Sequence, residues 1–376
     1  MNMWLGLDDT DHLEGGCTTF EFHKLLEALP CPHGEPRLVR LWPFAARRTR
    51  GNAALSVEIH PEEGIVEWLD DYWDDHIAPL AGTVSSSNHN ERDQHPADPG
   101  MVLFDKQPDE EHYWNAVRGE TSFIEGGIQW GGHGRIGAAA ACAWRENNVT
   151  WEGIAWRDGE RIVSEQALTE VDSMEGTFLC RDPRTKRGLI APRGACPVMF
   201  GVRARDLTTA KEATRILIEA EGTGNISANR IFVTNQASGD HLQSGMETAV
   251  HSLREMKGGH IEINNSMLAF KRGGDVNTLA QWLKVGDSIK FNGLLFEGMW
   301  HLELLSVLGS TTKERPLCCG KRMKSMGSGQ GIRCNTCKST MDDTWIQVTR
   351  VPPITGWAEP PSDSRRHLAR PVDWKA

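Results

Sequence analysis

MWLGLDDTDHLEGGCTTFEFHKLLEAL, residues 3–29, decides how this chain is read. Met3-Trp4-Leu5-Gly6-Leu7 has the apolar continuity of a short buried strand and ends directly in Asp8, Asp9 and Asp11. Three carboxylates within four residues repel one another unless positive charge stands among them. Mg²⁺ is the economical partner, because it takes oxygen ligands, keeps several waters and bridges to nucleotide phosphates. A solvated acidic turn is the competing reading. The position straight after an apolar strand favours a site, since ligands gather at strand ends in α/β sheets. Gly15, Gly16 and Cys17 then lead into a run of helical period that stops at Pro30, so backbone N–H groups are on offer to an anion. The Thr18 hydroxyl could line a phosphate site, accept a hydrogen bond or receive a phosphoryl group. Thr19 could do the same, and helix capping is the plainer role.

Further along, residues 51–60 read as a strand, a helix-like stretch follows, and 82–100 has the composition of a loop. Met101–Phe104 is a strand candidate and 111–118 a helix. Residues 126–137, GGIQWGGHGRIG, form a glycine-rich loop feeding the alanine-rich helix IGAAAACAW. Glycines let N–H groups wrap phosphate oxygens, and Gly134 and Arg135 are the candidate contacts, the guanidinium adding a charge-assisted pair. No GxxxxGK-S/T string occurs, so this is not the usual phosphate loop; a mobile loop without a ligand is the alternative. His133 and His241 are weighed as working histidines against merely structural or exposed ones. Strand candidates near 151–157 and 198–203 carry the α/β pattern to about residue 240.

After about residue 255 the pattern changes to short strand-like runs, HIEINN, SMLAFKRG, SIKFNGLLF and WHLELLSVL, which suit a small β-barrel of the oligonucleotide-binding kind. Cys334-Asn-Thr-Cys337 is half of a zinc knuckle, but its partner is the adjacent pair Cys318-Cys319. Adjacent cysteines rarely ligate one tetrahedral ion together. A three-cysteine site completed by another residue, or a site that has lost its metal, competes with a four-cysteine zinc site. Lys321, Arg322, Lys324, Arg333 and Lys338 surround the cysteines as a local basic patch suited to an RNA backbone, or as a solubilising face. A Pro-rich tail from about 351 reads as poorly ordered.

Composition sets limits. A chain of 376 residues suggests several units. Nine cysteines fit no disulfide scaffold. The net charge of −10 disfavours an indiscriminate polyanion binder while leaving room for RNA on one basic face. No apolar run spans a bilayer and the start lacks the features of a signal peptide, so the cytoplasm is the expected compartment.

Taken together, GLDDTDHLEGGCTT, GHGRIGAAAA, VTWEGIAWR (149–157), PRGACPVMFGVR (192–203), TNQASGDHL (234–242) and GGDVNTLAQWLKVGDSIKFNG resemble the archaeal tRNA(Ile) 2-agmatinylcytidine synthase family over residues 1 to about 345. The resemblance implies an α+β multidomain fold. In it, a kinase-like α/β catalytic domain (1–60 and 115–195) carries an inserted ferredoxin-like domain (61–114 and 196–250). An oligonucleotide-binding (OB-fold) barrel (251–312), a zinc ribbon (313–347) and a tail (348–376) follow.

It further implies ATP, Mg²⁺ and Zn²⁺ as cofactors, with agmatine and an isoleucine tRNA bearing the CAU anticodon as partners and no membrane or obligate protein partner. The implied reaction phosphorylates the C2 oxygen of the wobble cytidine, whereupon the agmatine amine displaces phosphate and ATP ends as AMP and diphosphate. By motif match, Thr18 is the autophosphorylated threonine and Asp8, Asp9 and Asp11 are the metal-binding acids. Two rivals stand beside this reading. One is a non-catalytic tRNA-binding protein built on barrel and ribbon; the other is an ATP-dependent RNA-modifying enzyme using another amine.

Overall fold

β1 (Met3–Asp8) is an inner strand, antiparallel to β3 (Ala53–Ile59) on one side and to β6 (Gly100–Phe104) on the other. Both of its faces are covered, which is why it reads as an unbroken apolar run rather than an alternating one. Leu5 and Leu7 are fully buried in one cluster with Phe22 and Leu25 of α1 (Thr18–Ala28). Trp4 packs on the opposite face with Ala138 and Cys142 of α4 (Gly134–Ala143). There the backbones nearly touch: a Cβ on Gly6 would lie 2.6 Å from the Ala138 carbonyl oxygen. The alanine run of α4 is the counterpart of that approach.

This structure is a computed structural model describing residues 2–12, 15–48, 51–82, 87–89, 92–192, 194–243 and 245–374. In chain order the remaining elements of the first half are β2 (Arg37–Arg40), α2 (Ile65–Tyr72), the small hairpin of β4 (Ser87–His89) and β5 (Arg92–Gln94), α3 (Glu110–Arg118) and β7 (Ile128–Gly131). The second half supplies β8 (Thr150–Arg157), α5 (Glu165–Ser173), β9 (Val198–Ala204), α6 (Leu207–Glu219) and β10 (Ile226–Thr234). The large sheet runs β7-β6-β1-β3-β2-β10-β8-β9. All neighbours are antiparallel except β2 and β10, whose parallel register, Val233 with Arg37 and Thr234 with Leu38, joins the two halves. The glycine-rich stretch 126–137 is therefore not one loop, since β7 within it pairs with β6 and α4 begins at Gly134.

The chain forms two compact units, residues 1–242 with 362–376, and residues 243–361. In the second unit β12 (Leu253–Glu255), β13 (Ile261–Ile263) and β14 (Met267–Ala269) form a meander. α7 (Asp275–Trp282) follows, and then β15 (Ser288–Phe296) and β16 (Met299–Gly309) pair along their lengths. β16 lies parallel to β14, and β11 (Met246–Ala249), just before β12 in the chain, pairs with β15. A first strand shared between β13 and β15, with the helix between the third and fourth strands, is the OB-fold connectivity expected from the sequence. Beyond it lie β17 (Thr311–Glu314) and the two-residue ribbon strands β18 (Leu317–Cys318), β19 (Lys321–Arg322), β20 (Lys324–Ser325), β21 (Ile332–Arg333) and β22 (Thr340–Met341), closed by β23 (Ile346–Thr349) pairing back on β17.

The expectation of a poorly ordered tail is corrected. Ala358 exchanges backbone hydrogen bonds with Leu305 (2.7 and 3.1 Å). Farther on, Ala237 and Gly239 donate to the carbonyls of His367 and Leu368 at 2.9 and 2.8 Å, and Leu368 is buried with Val39, Leu41 and Tyr113. Main-chain bonds and one anchoring leucine hold a segment whose composition carries no periodic signal. Among the described residues, no helix is long and apolar enough to cross a membrane.

Candidate active site

The end of β1 opens into a cavity of about 490 Å³ whose wall includes Asp8, Asp9 and Asp11. Burial pushes the Asp8 carboxyl well above its ordinary range, and the charges of Asp9 and Asp11 push the same way. Asp9, in the left-handed region at φ 58°, is raised to about 8 by burial and by Asp11, with Arg47 opposing. Its own N–H donates to Asp8 Oδ1 at 2.7 Å. Buried carboxylates held above their usual pKa lack positive charge, which is the electrostatic condition a divalent cation relieves. The three do not converge on one point, because among the described residues the groups that gather three or more ligand atoms within 4.8 Å are confined to the cysteines. That suits Mg²⁺, which takes one or two carboxylates and fills its shell with water and phosphate oxygens.

Thr18, the first residue of α1, stands one hydrogen bond away from this wall. Its Oγ1 donates to Asp11 Oδ1 at 3.1 Å and accepts from the Thr10 N–H and hydroxyl, each at 3.3 Å. It is buried, and no capping bond comes from Cys17, whose thiol meets the Thr19 hydroxyl at 3.0 Å. Gly16, at φ 71°, makes the turn: a Cβ there would lie 2.9 Å from the Thr10 carbonyl oxygen. Gly15 pairs by backbone with His12. Gly15, Gly16 and Cys17 thus shape the turn that carries Thr18 to Asp11, and none of them lies on the cavity wall.

Beside Asp8 the wall continues at the N-terminus of α4, where His133 and Gly134 border the cavity. Gly134 and Gly137 let the helix sit on β1, since a Cβ on them would lie 2.4 Å from the Asp8 carbonyl and 1.9 Å from Asp8 Oδ2. Arg135 points elsewhere: its Nε donates to the Gly132 carbonyl at 3.0 Å and its guanidinium lies 4.4 Å over the Phe123 ring. The cationic wall comes instead from Arg47 and Arg48, which sequence reasoning missed. Asp98 accepts from the His133 N–H and meets its Nδ1 at 3.0 and 2.8 Å, and Arg47 lies 3.5 Å from the same carboxylate. Trp42 and Phe123 add flat apolar surface. The signal was present in Phe44-Ala45-Ala46-Arg47-Arg48, an arginine pair just before a strand.

In the second unit the Sγ atoms of Cys318, Cys319, Cys334 and Cys337 all lie within 4.8 Å of one another, with Cys318 and Cys337 at 3.5 Å. Four sulfurs at about 2.3 Å from one Zn²⁺ stand roughly 3.8 Å apart in a tetrahedron, so the set fits the ion. Cys319 reaches it by adopting φ 49°. Lys321, Lys324, Arg333 and Lys338 are exposed around this cluster, whereas Arg322 pairs with Glu314. His241, by contrast, is buried.

Three domain models of one family match the chain: the TiaS TCKD domain over residues 4–126, the TiaS FLD domain over 132–241, and the TiaS C-terminal zinc ribbon domain over 315–351. The chain belongs to the TiaS family. The isoleucine-tRNA 2-agmatinylcytidine synthetase TiaS of Archaeoglobus fulgidus is 27% identical, over 99% of this chain and 97% of the relative. That of Methanosarcina acetivorans is 29% identical, over 98% and 97%. Among solved structures, apo TiaS and the complex of TiaS with its isoleucine tRNA and ATP each superpose with a TM-score of 0.79 at 25% identity, covering 99% of this chain and 97% of the other. Asp8, Asp9, Asp11 and Thr18 fall in the TiaS TCKD match, Gly134 and Arg135 in the FLD match, and the four cysteines in the ribbon match.

Proposed function

We propose that this protein uses ATP to join agmatine to C2 of the wobble cytidine of an isoleucine tRNA with a CAU anticodon: ATP is cleaved to AMP and diphosphate, the terminal phosphoryl group of the diphosphate activates the base, and the products are 2-agmatinylcytidine, AMP and two phosphates. The observation that carries the reading is a cavity whose wall gathers half-buried carboxylates, Arg47, Arg48 and the N-terminus of α4. Acids there are assigned to Mg²⁺, and the arginines to phosphate oxygens. Bound at one or two of Asp8, Asp9 and Asp11, Mg²⁺ would offset the charge of the nucleotide phosphates. Trp42 and Phe123 offer faces for a base.

Thr18 is assigned as the phosphoryl acceptor. Its proton is already directed at Asp11, so Asp11 serves as base when the hydroxyl oxygen attacks. The unactivated C2 oxygen of cytidine is a poor leaving group. Phosphorylation makes it a good one, and the agmatine amine then expels phosphate. A base inside a stacked anticodon loop has to turn out to reach the cavity. The barrel and the exposed cations of the ribbon, Lys321, Lys324 and Arg333, are assigned to the RNA, with the Arg322 charge shared with Glu314. Zn²⁺ is assigned to Cys318, Cys319, Cys334 and Cys337 as a structural ion.

The deciding experiment is ATP-dependent transfer of labelled agmatine to the unmodified CAU isoleucine tRNA, with Asp8→Asn and a CAU methionine tRNA as controls. Label on the isoleucine tRNA alone, lost in the variant, is expected. Label absent while tRNA binds and ATP is consumed would move the assignment to another amine.

A further inference from the structure

Next to the aspartate cavity lies a second, smaller one of about 170 Å³. The two share Leu41, Arg48 and Asn52 as common walls, so they adjoin. Arg40, Arg48, Arg366, His241 and His367 all contribute to its wall, and no carboxylate does among the described residues. Arg366 and His367 come from the tail, which the backbone bonds from Ala237 and Gly239 hold against this unit.

Behind the wall two guanidiniums share one carboxylate. Glu152, buried at 3% exposure, takes Arg40 Nη2 at 3.1 Å and stands 3.7 Å from Arg203 Nε. One carboxylate between two guanidiniums leaves a net positive charge in a region of low polarisability. A Cβ on Gly51 would come within 2.5 Å of Arg40 Nη1 and 3.5 Å of His367 Nε2, so the bare backbone of Gly51 lets both side chains reach the same space. Arg40 foremost, then burial and Arg203, hold the His367 imidazole well below its ordinary pKa, as net positive surroundings do.

Such a site recognises an anion. Its volume is below the roughly 300–1,000 Å³ of sites for drug-sized ligands, which excludes a whole nucleotide and suits one or two phosphoryl groups. Arginine forks match phosphate oxygens bidentately.

We propose that Arg40, Arg48, Arg366 and His367 form a phosphate-binding subsite beside the aspartate cavity, completed by the C-terminal tail. The phosphate has two available sources if the function proposed above holds: a backbone phosphodiester of the bound RNA, or the diphosphate released from ATP. Phosphate recognition itself does not depend on agmatine.

The full-length protein is titrated by calorimetry with sodium diphosphate, with an anticodon stem-loop RNA, and with Mg·ATP. Wild type, Arg366→Gln, His367→Gln and Arg366→Lys are compared. In Arg366→Gln, one of the two phosphate ligands should bind about tenfold weaker or worse, with Mg·ATP affinity unchanged and Arg366→Lys recovering much of the loss. An RNA source shows as weaker stem-loop binding with a salt slope smaller by about one. A diphosphate source shows as weaker diphosphate binding with RNA retained. The proposal is overturned if both ligands bind every variant like wild type, if Mg·ATP weakens in step, or if Lys and Gln at 366 lose equally. Agmatine and intact tRNA are absent from these titrations, so failure of agmatine transfer leaves their outcome readable.

Discussion

Gly137 of α4 and Asp8 of β1 meet so closely that a single methyl group on the glycine would lie 1.9 Å from Asp8 Oδ2. The carboxylate fits between helix and cavity because position 137 has no side chain. Gly137→Ala therefore has to move either the helix or the carboxylate. A loss of about 1–3 kcal/mol of stability is expected from overpacking, with ATP consumption falling further than stability does. Chemical denaturation beside an ATP assay checks this, and wild-type turnover in the alanine variant would refute it.

Protonation of Asp9 ties stability to pH. The folded group titrates at about 8 against a model value of 3.8, so between those values the folded state binds more protons than the unfolded one. Stability without divalent cation should fall as pH rises from about 4 to 8 and level off above. Asp9→Asn should flatten that slope, and Mg²⁺ should raise the melting temperature more at pH 8 than at pH 6. Melting curves with EDTA or Mg²⁺ test it; equal Mg²⁺ shifts at both values would contradict the assignment.

Thr18 is held by three groups, and only one of them, Asp11, can take its proton. Thr18→Ser should retain label from γ-phosphate-labelled ATP, whereas Thr18→Val should lose it. Asp11→Asn should slow agmatine transfer about 100-fold or more, the usual weight of a positioned base. Undiminished labelling of Thr18→Val would place the phosphoryl acceptor elsewhere.

The four cysteines predict one zinc per chain. Cys319→Ser should lower the metal content as much as Cys334→Ser does, although Cys319 is exposed and Cys334 buried. Chelation should expose the amides of residues 315–351 to hydrogen exchange while the aspartate sheet stays protected. Full zinc in Cys319→Ser would restrict the site to three cysteines.

Much of the catalytic face could be read from the residues. An apolar strand ending in acids, then a glycine turn into a helix, is a local pattern, and β1, α1 and the acids of the wall follow it. The Arg47-Arg48 pair carries a signal, charge just before a strand, but its irregular stretch becomes a wall only when β2 and β3 flank it. Arg135 misled for the opposite reason: a glycine-arginine string suggests phosphate, but the guanidinium settles on Phe123. Spacing rules also understate Cys318-Cys319, since a left-handed backbone at Cys319 lets neighbouring thiols share a cluster. The β2–β10 register rests on residues almost two hundred positions apart, which no local periodicity can announce.

That register also sets an order of assembly. β2 leaves the ribosome early, yet its edge stays open until β10 has been made, and Asn235 then accepts the Arg40 N–H at 2.7 Å. The tail, with Arg366 and His367, docks on the same unit only after the barrel and ribbon have been synthesised. Non-local pairing of this kind folds slowly. The basic cavity is thus the last part of the first unit to be finished, so a nascent chain carries its aspartates and its ribbon before that cavity exists.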